Sequence, residues 1–174
     1  MQSEECSAAT ARAIVSQSSR RRPSAPALRA WLYVIAWLVI IAVESTDLLS
    51  SERTGGLIRY VLTLIFGPIS PASFELIHAG GRKIGHFVGY AMLSLLLYRA
   101  WRETLRNSVA CLWDLRWALL ALAGTVLVAV ADEWHQTRLI SRTGSARDVL
   151  LDSLGGIFTQ CVILYTALSK QVRA

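Results

Sequence analysis

Apolar residues in this chain come in long blocks, neither alternating nor confined to one stripe. Ala30–Val43 is apolar without interruption and extends to about Leu49 through Glu44 and Asp47. Ile84–Trp101 is apolar except for His86, Ser94 and Arg99, Trp117–Ala131 carries no charge, and Val149–Leu168 carries one, Asp152. About 20 mostly apolar residues cross the ~30 Å hydrocarbon layer at ~1.5 Å per helical residue. A soluble amphipathic helix is apolar on one face only, whereas these blocks are apolar around most of their circumference. The pattern predicts an all-α membrane protein with four transmembrane helices, over about residues 29–49, 83–102, 115–136 and 147–168. A longer external segment, about 50–82, joins the first two. Within it Leu57–Phe66 is apolar with Arg59 and Tyr60, and Gly67-Pro68 stops it. A second short helix is expected over Pro71–Ala79, ended by Gly80-Gly81 before Arg82. A connection this apolar is expected to lie along the interface or dip back into the membrane.

Composition agrees with the pattern. Of 174 residues 53% are hydrophobic and 17% charged, and the mean hydropathy is +0.42. A chain disordered over most of its length is excluded. Three cysteines, Cys6, Cys111 and Cys161, form no CxxC pair and read as reduced structural thiols. Residues 1–27, rich in Ser, Ala and Arg, read as a flexible basic cytoplasmic tail, and 28–174 as a single four-helix domain. Ser19-Arg20-Arg21-Arg22 has the look of a twin-arginine signal, but the apolar run that follows is long and lacks a small-residue cleavage site, so an uncleaved anchor is expected.

The net charge of +6 follows from topology. With four spans both termini share one side, and 11 of the 18 Lys and Arg residues fall there. The positive-inside rule makes that side cytoplasmic. Trp31, Trp101, Trp113 and Trp117 fall near the same interface, as belt aromatics do. Nucleic acid is not an expected partner, because no basic face with stacking aromatics is left over.

The polar residues in the spans sort to the opposite, external end: Glu44 and Asp47 on the first span, Arg82, Lys83 and His86 on the second, Asp132, Glu133, His135 and Gln136 on the third, and Arg142, Ser145, Asp148 and Asp152 before or in the fourth. Ionisable groups at that depth are costly unless paired or hydrated, so they mark a candidate site. Helical spacing puts Lys83, His86 and Tyr90 on one face, Asp132 with Gln136, and Asp148 with Asp152, Gly155 and Gly156. The two glycines allow a neighbouring helix to come close.

Two segments carry a family resemblance. Arg82-Lys83-Ile84-Gly85-His86-Phe87-Val88-Gly89-Tyr90 resembles the DKxxHfxxY segment of VanZ-like membrane proteins. Asp132-Glu133-Trp134-His135-Gln136, followed by Arg142, Ser145, Asp148 and Gly155, resembles their DExxQ…R…s..D…N..G block. This chain has Arg82 where the family usually has Asp, Asp152 where it has Asn, and Ile140-Ser141 where it has Pro-Gly. If Arg82 and Asp152 face each other, the two charges have been exchanged. The resemblance implies a multi-pass protein of the bacterial plasma membrane; the family's founding member is associated with low-level resistance to the glycopeptide teicoplanin.

Three functions fit these residues. An enzyme acting on a membrane lipid or lipid-linked cell-wall precursor would use Glu133, His86 or Asp132 as acid and base. Lys83 and Arg142 would bind phosphate, with Gln136, Ser145, Asp148, Asp152 and Tyr90 completing the substrate site. A non-catalytic scaffold or binding protein would use the same groups as ion pairs, Arg82/Lys83 with Asp132/Glu133 and Arg142 with Asp148. A small transporter would be a homodimer of four-span subunits with a charge deep in the bilayer. No cofactor is expected. No metal is expected either, since no pair among His78, His86 and His135 has zincin spacing.

Overall fold

The computed structural model describes residues 24–46, 51–105, 113–138 and 145–173. Most of the tail, Asp47, Cys6, Cys111 and Arg142 lie outside the described residues. Five helices account for nearly all of the rest: α1 (Ala25–Glu44), α2 (Ser51–Phe66), α3 (Pro71–Leu105), α4 (Leu115–Gln136) and α5 (Ala146–Val172). No strand occurs among the described residues. Local chemistry sets the ends. Ser24 caps α1 by accepting the Ala27 N–H at 3.4 Å, Asp114 caps α4 and Ser145 caps α5. Gly67, at φ +82°, closes α2 with Pro68 after it, a left-handed position that other residues adopt at a cost.

Helices α1, α4 and α5 are each long and apolar enough to cross a membrane. The fourth candidate span lies on α3, whose apolar run is diluted by His86, Tyr90, Ser94 and Arg99. It passes the same test jointly with α2, from which it is bent by 113° across Gly67–Ser70. This is the interfacial or re-entrant segment that the apolar connection predicts. Phe74, buried at the start of α3, docks α2: Gly55 leaves room for its ring and the Arg59 guanidinium sits 5.6 Å from the ring centre. Leu57, Leu64 and Phe66 are exposed, an apolar surface suited to lipid.

One expectation fails here. Gly80-Gly81 does not end a short helix; α3 runs unbroken from Pro71 to Leu105. Glycine inside a helix costs about 1 kcal/mol relative to alanine, which weakens a helix without breaking it. A Cβ at either position would meet nothing within 4 Å. Gly80→Ala and Gly81→Ala are therefore expected each to raise stability by about 0.5–1 kcal/mol, read as a higher unfolding temperature in detergent. A loss of stability would show that the helix needs a break there.

Helix α3 is the hub, packed against each of the other four, and α4 also packs against α5. The spans alternate in direction, so α3 and α5 run parallel. The core is Val34 and Ile41 of α1, Tyr90, Leu93 and Leu97 of α3, and Ala118, Ala121 and Ala129 of α4. Trp31 meets Trp101 edge-on at 5.2 Å and bonds Thr104 at 3.0 Å. Trp117 is not a belt residue: it is buried edge-on against Tyr98. Cys161 is unpaired and exposed on α5.

Lipid tails are as apolar as leucine, so close backbone approach and interhelical hydrogen bonds hold such bundles together. Helix α5 supplies both from one stripe. Gly155 lies against the α3 backbone, where a Cβ would collide with the Phe87 carbonyl oxygen, and Gly156 faces Thr125 and Leu122 of α4. Below them Thr159 donates to the Ala91 carbonyl at 2.9 Å, Gln160 Nε2 reaches Ser94 Oγ at 2.7 Å, and Ser94 donates to the Gly156 carbonyl at 3.2 Å.

Candidate functional site

The polar residues gather at the end of the bundle where α1 and α4 finish and α5 begins. They form three layers. In the innermost, Tyr90 Oη and Gln136 Nε2 both donate to Asp132 Oδ2, at 3.0 and 3.1 Å. Glu133, buried, accepts the backbone N–H of Ser145 and so ties the start of α5 to the end of α4. The Ser145 hydroxyl accepts the Arg147 N–H at 3.2 Å and is occupied as the cap of α5. His135 Nδ1 lies 3.5 Å from Ser45 Oγ at the end of α1.

The second layer is His86 with Asp152. His86 Nδ1 is 3.5 Å from Asp152 Oδ1, within ion-pair reach, and Asp152 is only 1% exposed. Neither atom makes an aligned hydrogen bond. His86 stacks on Tyr90 at 6.3 Å between ring centres.

The outer layer is a cavity of about 230 Å³ lined by Glu75, His78, Arg82, Lys83, His86, Gln136 and Asp148. A smaller cavity of about 20 Å³, room for about one water molecule, lies on another side of His86, among Glu44, Ser45, Tyr90 and Asp132. His86 is common to both walls. Among the described residues no three His, Cys, Asp or Glu side chains converge to hold a metal ion.

The structure thus sorts the residues expected from sequence. Lys83, His86, Gln136 and Asp148 line the outer cavity, Tyr90 and Asp132 the inner one, and Asp152 stands behind His86. Glu133 and Ser145 belong to neither wall and serve the α4–α5 junction. The expected ion pairs from Arg82 or Lys83 to Asp132 or Glu133 do not form. Asp132 is taken by Tyr90 and Gln136, and Glu133 by the Ser145 amide. Nor do Arg82 and Asp152 exchange charges: Arg82 is exposed at the cavity mouth and Asp152 is buried against His86.

Glu75, His78 and Ser45 are wall residues that the sequence reading did not select. A signal for two of them exists: 75, 78, 82 and 86 follow one helical stripe once Gly80-Gly81 is read through.

The sequence model of the VanZ/LLP1 family matches residues 30–168, which takes in all four spans and every site residue above. No curated protein matches the chain, and neither does any solved structure. This chain belongs to the VanZ/LLP1 family.

Proposed function

We propose that this protein sits in the bacterial plasma membrane with both termini in the cytoplasm, and that its outer cavity takes the headgroup of an envelope lipid or lipid-linked wall precursor for chemistry at His86. The observation that carries the reading is the single wall shared by Arg82, Lys83, His86 and Gln136 around a cavity of about 230 Å³. Pockets for whole small molecules run to about 300–1,000 Å³; this one suits a headgroup whose tails stay in the bilayer. Arg82 and Lys83 would hold a phosphate by charge-assisted hydrogen bonds. His86 with Asp152 behind it has the layout of a base and its orienting carboxylate. The acid–base role passes to His86 because Glu133 and Asp132 already have partners. The excess of Lys and Arg at the other end supports an external cavity. A changed lipid or precursor would alter susceptibility to wall-directed glycopeptides such as teicoplanin.

The satisfied bonds of Asp132 and Glu133 favour a second reading, a binding scaffold without chemistry. A transporter is the weakest: residues 30–43, 87–98, 117–131 and 153–169 carry no Asp, Glu, Lys or Arg through the middle of the bundle. Mass spectrometry of membrane lipids and lipid-linked precursors tests this. Three strains are compared: without the protein, with wild type, and with His86→Ala at equal expression. A species that changes with wild type and not with His86→Ala is the expected result. Identical profiles in all three would overturn catalysis.

A further inference from the structure

At the opposite end of the bundle, a groove of about 270 Å³ opens between the last turns of α3 and α5. Its charged part is Arg99, Arg102 and Lys170, Tyr98 and Thr166 stand beside them, and its floor is Leu95, Ile163 and Ala167. No carboxylate lines it, unlike the outer cavity, where Glu75 and Asp148 offset the cations. Arg99 and Lys170 are exposed and make no ion pair among the described residues. Arg102 spends one Nη on Glu103 at 3.1 Å, while its Nε is buried without a hydrogen-bond partner. Such a donor is unfavourable unless something accepts from it. Three cations, one with an unmet buried donor, call for an anion with several oxygens. The apolar floor between two membrane-crossing helices calls for an anion that carries an acyl chain.

We propose that this groove is a second, independent site that binds the phosphate of an anionic phospholipid in the leaflet opposite the outer cavity, with an acyl chain lying along Leu95, Ile163 and Ala167. The phosphate lies between the Arg102 guanidinium and the Lys170 ammonium, and Arg99 closes the third side. A lipid there would clamp the ends of α3 and α5, below the Ser94–Gln160 bonds that join them.

The test uses purified full-length protein in zwitterionic detergent and native mass spectrometry with phosphatidylglycerol, phosphatidylcholine or inorganic phosphate. Wild type is expected to retain phosphatidylglycerol in preference to phosphatidylcholine. A cation near the membrane surface is worth about a fivefold change in binding. Arg102→Gln/Lys170→Gln should therefore weaken retention on the order of 25-fold. Lys170→Gln alone, at an exposed site remote from the core, should weaken it about fivefold without touching the fold. Arg116→Gln, which removes an exposed cation of α4 at the same end of the bundle but outside the groove, should leave it unchanged. Equal retention of the two lipids, equal retention by Lys170→Gln and wild type, or an equal loss in Arg116→Gln and Lys170→Gln would overturn the proposal. Displacement of the lipid by millimolar inorganic phosphate would overturn the lipid as the ligand. His86→Ala leaves this site intact, so its result and the result for the outer cavity are separable.

Discussion

Gly155→Ala is expected to be among the most damaging single-methyl changes this bundle can receive. The added Cβ would collide with the Phe87 carbonyl oxygen and sit 3.3 Å from the Ala91 nitrogen, both backbone atoms of α3. No rotamer change relieves a clash with backbone, so α5 must move away as a unit. Overpacking of this kind costs about 1–3 kcal/mol, and the upper end is expected, because the shift also stretches the Thr159–Ala91 and Gln160–Ser94 bonds and parts His86 from Asp152. Gly156→Ala is the internal comparison. Its Cβ would meet Thr125 Cγ2 at 3.1 Å and Leu122 Cδ1 at 3.4 Å, side-chain atoms that can give way, and a loss of about 1 kcal/mol is expected. Gly85→Ala and Gly89→Ala, where nothing lies within 4 Å, should be tolerated. Thermal unfolding of the four variants in one detergent decides the order. A Gly155→Ala protein as stable as Gly85→Ala would mean that α3 and α5 do not touch here.

The second large effect concerns His86. Its removal leaves Asp152, 1% exposed, without the one charge partner beside it. Breaking a buried pair from one side costs about 3–5 kcal/mol; the low end is expected, since His86 is itself 25% exposed. Adding Asp152→Asn to His86→Ala should return most of that stability, because the stranded carboxylate is gone, while any lipid conversion stays lost. A general acid–base group contributes roughly 10²–10⁴-fold in rate, so the loss should be plain in the lipid profile. The cycle of two single variants and the double separates the roles. Recovery of both stability and conversion in the double variant would make the pair structural only. Failure to recover stability would show that the two side chains are not coupled.

Much of this architecture was legible from residue order. Three of the four apolar blocks became helices long and apolar enough to cross a membrane, and the fourth lies in α3, which reaches that standard jointly with α2; Gly67-Pro68 became the end of α2, and Gly155 and Gly156 close-approach points. The i,i+4 spacing of Asp132 and Gln136 became a hydrogen bond. Charge was a poorer guide to pairing. Arg82 and Lys83 looked like natural partners for Asp132 and Glu133, but Asp132 is taken by Tyr90 and Gln136 and Glu133 by a backbone amide. Glu133 looked like a free acid or base, and the short α4–α5 connection instead brings the Ser145 amide to it. The Gly80-Gly81 pair looked like a break, although the polar stripe from Glu75 to His86 runs through it in helical register.

Residue order alone sets the fold class, the apolar blocks that supply the three to four candidate spans, the end of the bundle that is polar and the family. Each of these depends on how many apolar residues stand in a row and on which side of them the charges fall, and transfer from water to lipid depends on the same two quantities. Which polar groups meet depends on packing in three dimensions: His86 with Asp152, Tyr90 and Gln136 with Asp132, and Arg102 with an unmet donor between α3 and α5. Those pairings depend on how each helix is turned about its axis and how far it slides past its neighbours. Packing of small residues such as Gly155 against a facing backbone sets both, through contacts between residues far apart in the chain.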